Sequence, residues 1–160
     1  EYPSSRLRTY SEGNDFRINV PENWREVNNG GDATFAPEGA YGNVQGQFVY
    51  THGTQVGFHR AASRNLRTAT EQFINELAQG NRNLQGSSAY QRATIANRQG
   101  LITSLSNISE ITGEQEVVSI ATLLLSNGDL FYMVFVAPRN DFNNYLPTFQ
   151  RIMREVAVNQ

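Results

Sequence analysis

The residues best suited to chemistry in this chain are its two histidines, His52 and His59, seven positions apart. An imidazole titrates near neutral pH and serves as general base, proton shuttle or metal ligand. On an extended strand, residues seven apart point to opposite sides. A shared metal therefore needs a turn between them, which Gly53 and Gly57 could supply. The helical His-Glu-x-x-His spacing that sets two zinc ligands beside a general base is absent. So is Gly-x-Ser-x-Gly, whose strained turn presents a serine nucleophile, although serines and four aspartates exist for a triad. The chain has no cysteine, which removes thiolate metal sites, disulfides and cysteine nucleophiles. No catalytic residue, metal ligand or cofactor is assigned.

Other patterns carry less chemistry. Glu110, Glu114 and Glu116 could act as paired carboxylates, but their place beside a hairpin is expected to turn them toward water. Asn107-Ile108-Ser109 fits a glycosylation sequon, which matters only in a eukaryotic secretory setting. Gly39, Gly42 and Gly46 lack the Lys and the strand-to-helix context of a phosphate loop, so they read as turn glycines. The stretch from Tyr41 to Phe58 sets aromatic groups and both histidines among glycines and glutamines, a composition usual in recognition loops. Phe48 and Phe58 are expected to fill a sheet–helix interface, and Tyr41 to be an exposed contact. Tyr41, His52 and His59 are the candidate interaction surface. The alternatives are a small-ligand domain with an apolar cavity of roughly a few hundred Å3 between sheet and helix, and a small hydrolase using His52 or His59 as base.

Composition narrows the partners. At 160 residues the chain suits one domain, and a net charge of −2 lacks the basic excess of a nucleic-acid binder. All 13 basic residues are Arg and none is Lys, a usage read as codon bias because the arginines are scattered. No run approaches the ~20 apolar residues of a membrane-spanning helix. The sequence opens at Glu1 without an initiator Met or signal peptide, which suggests a processed protein or a piece of a longer one.

The elements that must position these groups follow from periodicity. Residues 1–14 are polar and read as a linker or N-terminal arm, with one domain over 15–160. Phe16, Ile18 and Val20 alternate as a strand, and Trp24 is expected to tuck under the sheet. Asn28 to Gly31 reads as a loop, followed by a strand near Ala33–Ala36 and another from Phe48 that His52-Gly53-Thr54 interrupts. Leu66, Ala69, Thr70, Phe73, Ile74 and Leu77 recur at helical steps, with a Thr68–Glu71 capping box setting the start near Ala69. Two short strands flank Asn97 to Gly100 nearer the sheet edge. Phe142, Tyr145, Leu146, Phe149, Ile152, Met153 and Val156 share one helical stripe, whose continuous helix Pro147 is expected to start.

The most decisive pattern is Val117–Leu125 and Leu130–Ala137 joined by Ser126-Asn127-Gly128-Asp129. Asn-Gly favours a type I′ hairpin turn, in which both central residues take positive φ. Both strands are apolar on both faces, whereas an ordinary hairpin leaves one face wet. Protein must cover both sides, which predicts an α+β, three-layer α/β/α sandwich around a mainly antiparallel sheet.

Phe16-Arg17-Ile18-Asn19-Val20-Pro21-Glu22-Asn23-Trp24 resembles the opening strand of the PsbP-like fold, an antiparallel sheet between helices. The chain is more closely similar to the C-terminal domain appended to bacterial zinc metallopeptidases of the HtpX and CAAX-prenyl-protease type. Pro3-Ser4-Ser5-Arg6, Ala36-Pro37-Glu38-Gly39, Asn65-Leu66 with Ala69-Thr70, and Phe135-Val136-Ala137-Pro138 with Asp141-Phe142 and Tyr145 carry that likeness. The resemblance implies a non-catalytic accessory domain in the bacterial cell envelope. It would bind the catalytic domain of its parent protein or another envelope protein. No residue here matches a zinc ligand of that family.

Overall fold

Two strands, β10 (Gln115–Leu124) and β11 (Asp129–Pro138), form the middle of a seven-stranded antiparallel sheet. Their register runs from Glu116 opposite Pro138 to Leu124 opposite Leu130. The turn between them differs from the type I′ expectation. Gly128 N–H donates to Leu125 C=O at 3.0 Å, and of Asn127 and Gly128 only the glycine has positive φ, at 93°. This is a type I turn closed by a left-handed glycine, the usual three-residue hairpin loop. The two-residue type I′ geometry occurs instead at Gln45-Gly46 (φ 53° and 79°) and at Ala96-Asn97 (φ 52° and 64°).

This computed structural model describes residues 2–13, 15–28, 32–86 and 88–159. The loop expected over 28–31 therefore lies largely outside the described residues. The main sheet is completed by β3 (Trp24–Asn28), β4 (Ala33–Pro37), β7 (Gly53–Arg60), β9 (Arg98–Ile108) and β8 (Gln91–Ile95). Their order is β3-β4-β7-β11-β10-β9-β8, so the two strands around Ala96 lie toward one edge as expected, although β9 runs for 11 residues and only β8 is short.

Every residue from Leu130 to Ala137 is buried, and successive residues alternate between two cores. Phe131, Met133, Phe135 and Ala137 join Ala121 and Leu123 on one face. Leu130, Tyr132, Val134 and Val136 join Val118 and Ile120 on the other. Burying a large apolar side chain is worth about 1.5–3 kcal/mol, which is why neither face can be left open.

The first face is covered by α2 (Phe142–Glu155) and by a second sheet of β1 (Leu7–Glu12), β2 (Phe16–Pro21) and β12 (Ala157–Val158), in the order β1-β2-β12. Residues 7–12 are therefore a strand paired along its length with β2, and the expectation of a linker over 1–14 is corrected for this half. Arg8 and Glu12 hide the pattern in the sequence, yet Tyr10 packs its ring 5.2 Å from Phe35. Trp24 is buried beside Phe149 on this face. Helix α2 begins at Phe142 after a 3-10 turn over Arg139–Asp141, five residues before Pro147. Pro147 is exposed, as is Asn143, so water can take the Asn143 carbonyl that the proline leaves without an N–H partner.

The second face is covered by α1 (Leu66–Gln79) and by the two-stranded hairpin β5 (Tyr41–Val44) and β6 (Gln47–Tyr50). The N-cap of α1 is Asn65, whose side chain accepts from Thr68 N–H at 3.0 Å. The Thr68 capping box is thus displaced by three residues. Thr70 fastens the helix to β10: its hydroxyl donates to Leu66 C=O and accepts from Thr122 Oγ1, each at 2.7 Å. The architecture is a three-layer sandwich, with a helix and a small β unit on each side of one antiparallel sheet.

Candidate interaction cleft

The two histidines lie in different layers. His52, between β6 and β7, holds its ring 5.3 Å from that of Tyr145 on α2. Its Nδ1 is 3.1 Å from Thr51 Oγ1, and Nε2 is enclosed without a hydrogen-bond partner among the described residues. Burial pushes its pKa down, toward the neutral imidazole. His59, near the end of β7, pairs its Nε2 with Glu76 of α1 at 3.0 Å and packs on Phe73. Neither ring is hydrogen-bonded to a serine or an aspartate among the described residues. Tyr41 is half-buried at the base of the hairpin, opposite Tyr50 and 6.3 Å from the ring of Phe48. Tyr41 and His59 thus belong to the α1 layer and His52 to the α2 layer, so the structure does not bring the three together. Among the described residues no three His, Asp or Glu side chains converge as a metal site.

The α1 layer carries a different feature. Helix α1 and the hairpin do not meet edge to edge, and a cleft of about 240 Å3 opens between them. Its floor is the main sheet, through Val118, Val134 and Val136. Phe48 and Tyr50 wall it on the hairpin side, and Leu77 and Leu84 on the helix side. Tyr50 is fixed there by donating its hydroxyl to Val134 C=O at 3.1 Å. At the mouth stand Ile108 and Ile111, which are 42% and 48% exposed and are two of three large apolar side chains exposed among the described residues.

Glu116 lies in the same cleft and is only 6% exposed. Asn107 Nδ2 donates to its Oε1 at 2.8 Å. Burial raises the Glu116 pKa, partly offset by that hydrogen bond. The expectation that Glu110, Glu114 and Glu116 all face water is corrected here: the first two are exposed and the third is not. Its signal was present in the sequence. Glu116 shares the two-residue period of Val118 and Ile120, so it had to join the apolar face that they build. The sequon asparagine, Asn107, is its hydrogen-bond partner rather than a free surface amide.

Beside the cleft, Asp32 Oδ2 accepts from Tyr132 Oη at 2.9 Å and also from Gln55 Nε2. Gly57 makes room for this group, because a Cβ there would stand 2.5 Å from Tyr132 Oη and 2.9 Å from Asp32 Cβ.

No protein-family profile and no curated protein matches the chain. Solved structures do match it. A point mutant of the protein Mog1 superimposes with a TM-score of 0.66 at 11% identity, over 96% of both chains. Cyanobacterial PsbP (CyanoP) from Synechocystis sp. PCC 6803 gives 0.58 at 12% identity, over 96% of this chain and 92% of that one. The fold is PsbP/Mog1-like. A further match is LpqN, involved in cell envelope biogenesis of Mycobacterium tuberculosis, with a TM-score of 0.54 at 13% identity over 97% and 91% of the two chains. The chain also spans about half of a longer Bacteroides thetaiotaomicron protein, 48% of it, at a TM-score of 0.63 and 14% identity. At such identities the PsbP/Mog1-like likeness concerns the fold, and no residue role travels with it.

Proposed function

We propose that this chain is a non-catalytic interaction domain of a bacterial envelope protein, and that it docks its partner through the cleft between α1 and the β5–β6 hairpin. The observation that carries this reading is the pair Ile108 and Ile111, apolar and half exposed at the mouth of a cleft with an apolar floor. Exposed apolar groups gathered at one place mark contact surfaces more often than chance scatter does. The envelope setting is supported by the fold shared with LpqN, and no helix among the described residues is long and apolar enough to cross a membrane.

The favoured partner is the catalytic domain of a zinc metallopeptidase of the HtpX type. Its support is the sequence resemblance at Ala36-Pro37-Glu38-Gly39 and Phe135-Val136-Ala137-Pro138. Tyr41 serves this surface by backing Phe48, and His59 by holding α1 through Glu76. A small-ligand carrier would call for an enclosed apolar cavity. The cleft is instead open at Gln47, Asn81 and Glu110, which favours a protruding group of a protein.

Titration of the isotope-labelled chain with such a catalytic domain is expected to shift the signals of Phe48, Ile108 and Ile111. The double variant I108S/I111S should weaken binding at least tenfold with an unchanged melting temperature. Undiminished binding by that variant, or shifts confined to the His52–Tyr145 side, would remove the cleft from the interface. Peptide hydrolysis lost on replacing His52 or His59 would make the domain an enzyme instead.

A further inference from the structure

We propose that the cleft recognises the side chain of a lysine on the partner protein, its methylenes against Val118 and Val134 and its ammonium against Glu116. The inference rests on the docking reading above and names the chemistry of its occupant.

Glu116 is the reason. A carboxylate withdrawn from water is costly unless it is paired, and β10 places this one on a face otherwise built of Val118 and Ile120. Oε1 is held by Asn107, while Oε2 receives no hydrogen bond among the described residues and opens into the cleft, since it is not one of the fully enclosed side-chain oxygens. Arg82 stands exposed at the rim and forms no ion pair with it. A buried carboxylate that opposes local folding preference and is only half satisfied within the chain points to a function met by a group from outside the domain.

The occupant's chemistry follows from what remains free. One free carboxylate oxygen beside the apolar floor of Val118, Val134 and Val136 suits a compact ammonium on a flexible hydrocarbon stem. A guanidinium prefers to engage both oxygens of a carboxylate at once, and Asn107 already occupies one. The volume, about 240 Å3, lies below the ~300 Å3 at which drug-sized sites usually begin, so one side chain is the appropriate load. The chain contains no lysine. The ammonium is therefore supplied by no residue of this domain, in its own copy or in a second one.

The test uses the full chain and Nα-acetyl-lysine methylamide, with its norleucine and arginine counterparts, followed by NMR. Saturable shifts at the Asn107 side-chain amide and at the methyls of Val118 and Val134 are expected for the lysine probe. The norleucine and arginine probes should bind at least tenfold more weakly. E116Q should lose at least tenfold in lysine affinity without a fall in melting temperature. N107A, which frees Oε1, should raise arginine binding relative to lysine and gives a second readout should E116Q fold poorly. Equal binding of norleucine, unchanged affinity in E116Q, or no shift at the cleft with the lysine probe overturns the proposal. Equal norleucine binding does so while leaving the cleft intact as a docking site, whereas full-strength partner binding by I108S/I111S rejects the docking reading itself.

Discussion

At the scale of single residues, the informative positions are polar groups held where apolar ones would be easier. Glu26 on β3 is a second case beside Glu116: a hydrogen bond with Glu12, then partial burial and the repulsion of the Glu12 charge, push its pKa up to about 7. The native state then keeps a proton that the unfolded chain releases near its ordinary value. Stability should therefore fall as pH rises from about 4.5 to about 7. E26Q should match the parent protein at pH 4 and exceed it at pH 8 by about 1 kcal/mol, well under the full linkage value because the pair is partly solvated. Denaturant titrations at the two pH values check this, and equal differences at both would reject it. Gly57 is a steric case. G57A should cost about 1–3 kcal/mol by pushing the Tyr132 hydroxyl off Asp32 and leaving a half-buried carboxylate short of a donor. The loss should shrink in a Y132A background, which removes both Tyr132 atoms the new Cβ would meet, and an undiminished loss would place the cause elsewhere.

At the scale of elements, the helix starts show how local rules compete. Asn65-x-x-Thr68 and Thr68-x-x-Glu71 are both credible caps, and the structure uses the first, because Leu66 must already be helical to reach the core beneath α1. Glu71, freed from the cap, lies 3.4 Å from Arg67 one turn back. N65A should cost about 1 kcal/mol, the usual worth of an N-cap, while T68A should be nearly neutral. Thermal unfolding of the two variants separates the assignments, and the reverse order would restore the capping box. Pro147 misleads for a related reason. Proline is favoured at the first helical position, but it is tolerated a turn later when the carbonyl it orphans is wet. The exposed stripe of Asn143 and Pro147 meets that condition.

At the scale of the whole molecule, the two-sided grease of the central hairpin was legible because burial on both faces leaves no polar alternation to misread. The β5–β6 hairpin was not. Phe48, Tyr50, Thr54, Val56 and Phe58 keep one continuous two-residue period, although only Thr51 and His52 separate strands that belong to different sheets. Periodicity records which residues face inward and is silent on which sheet they join. The cleft was illegible for the same reason, since it exists only where that hairpin stops short of α1. Strand β1 was hidden by its charges, and its role is testable. Removing residues 1–12 should lower the melting temperature by about 5–15 °C, for an edge strand worth about 2–4 kcal/mol in a domain of this size. A linker would be lost without effect.

Strands β10 and β11 contribute side chains to both cores, whereas α1 and α2 each serve one. Either outer layer can therefore loosen while the shared partition stays clamped from the opposite side. Amide deuterium exchange should accordingly be slowest along Val118–Thr122 and Phe131–Phe135, approaching the free energy of global unfolding there. The protein is thus free to yield at its α1 layer without surrendering its architecture.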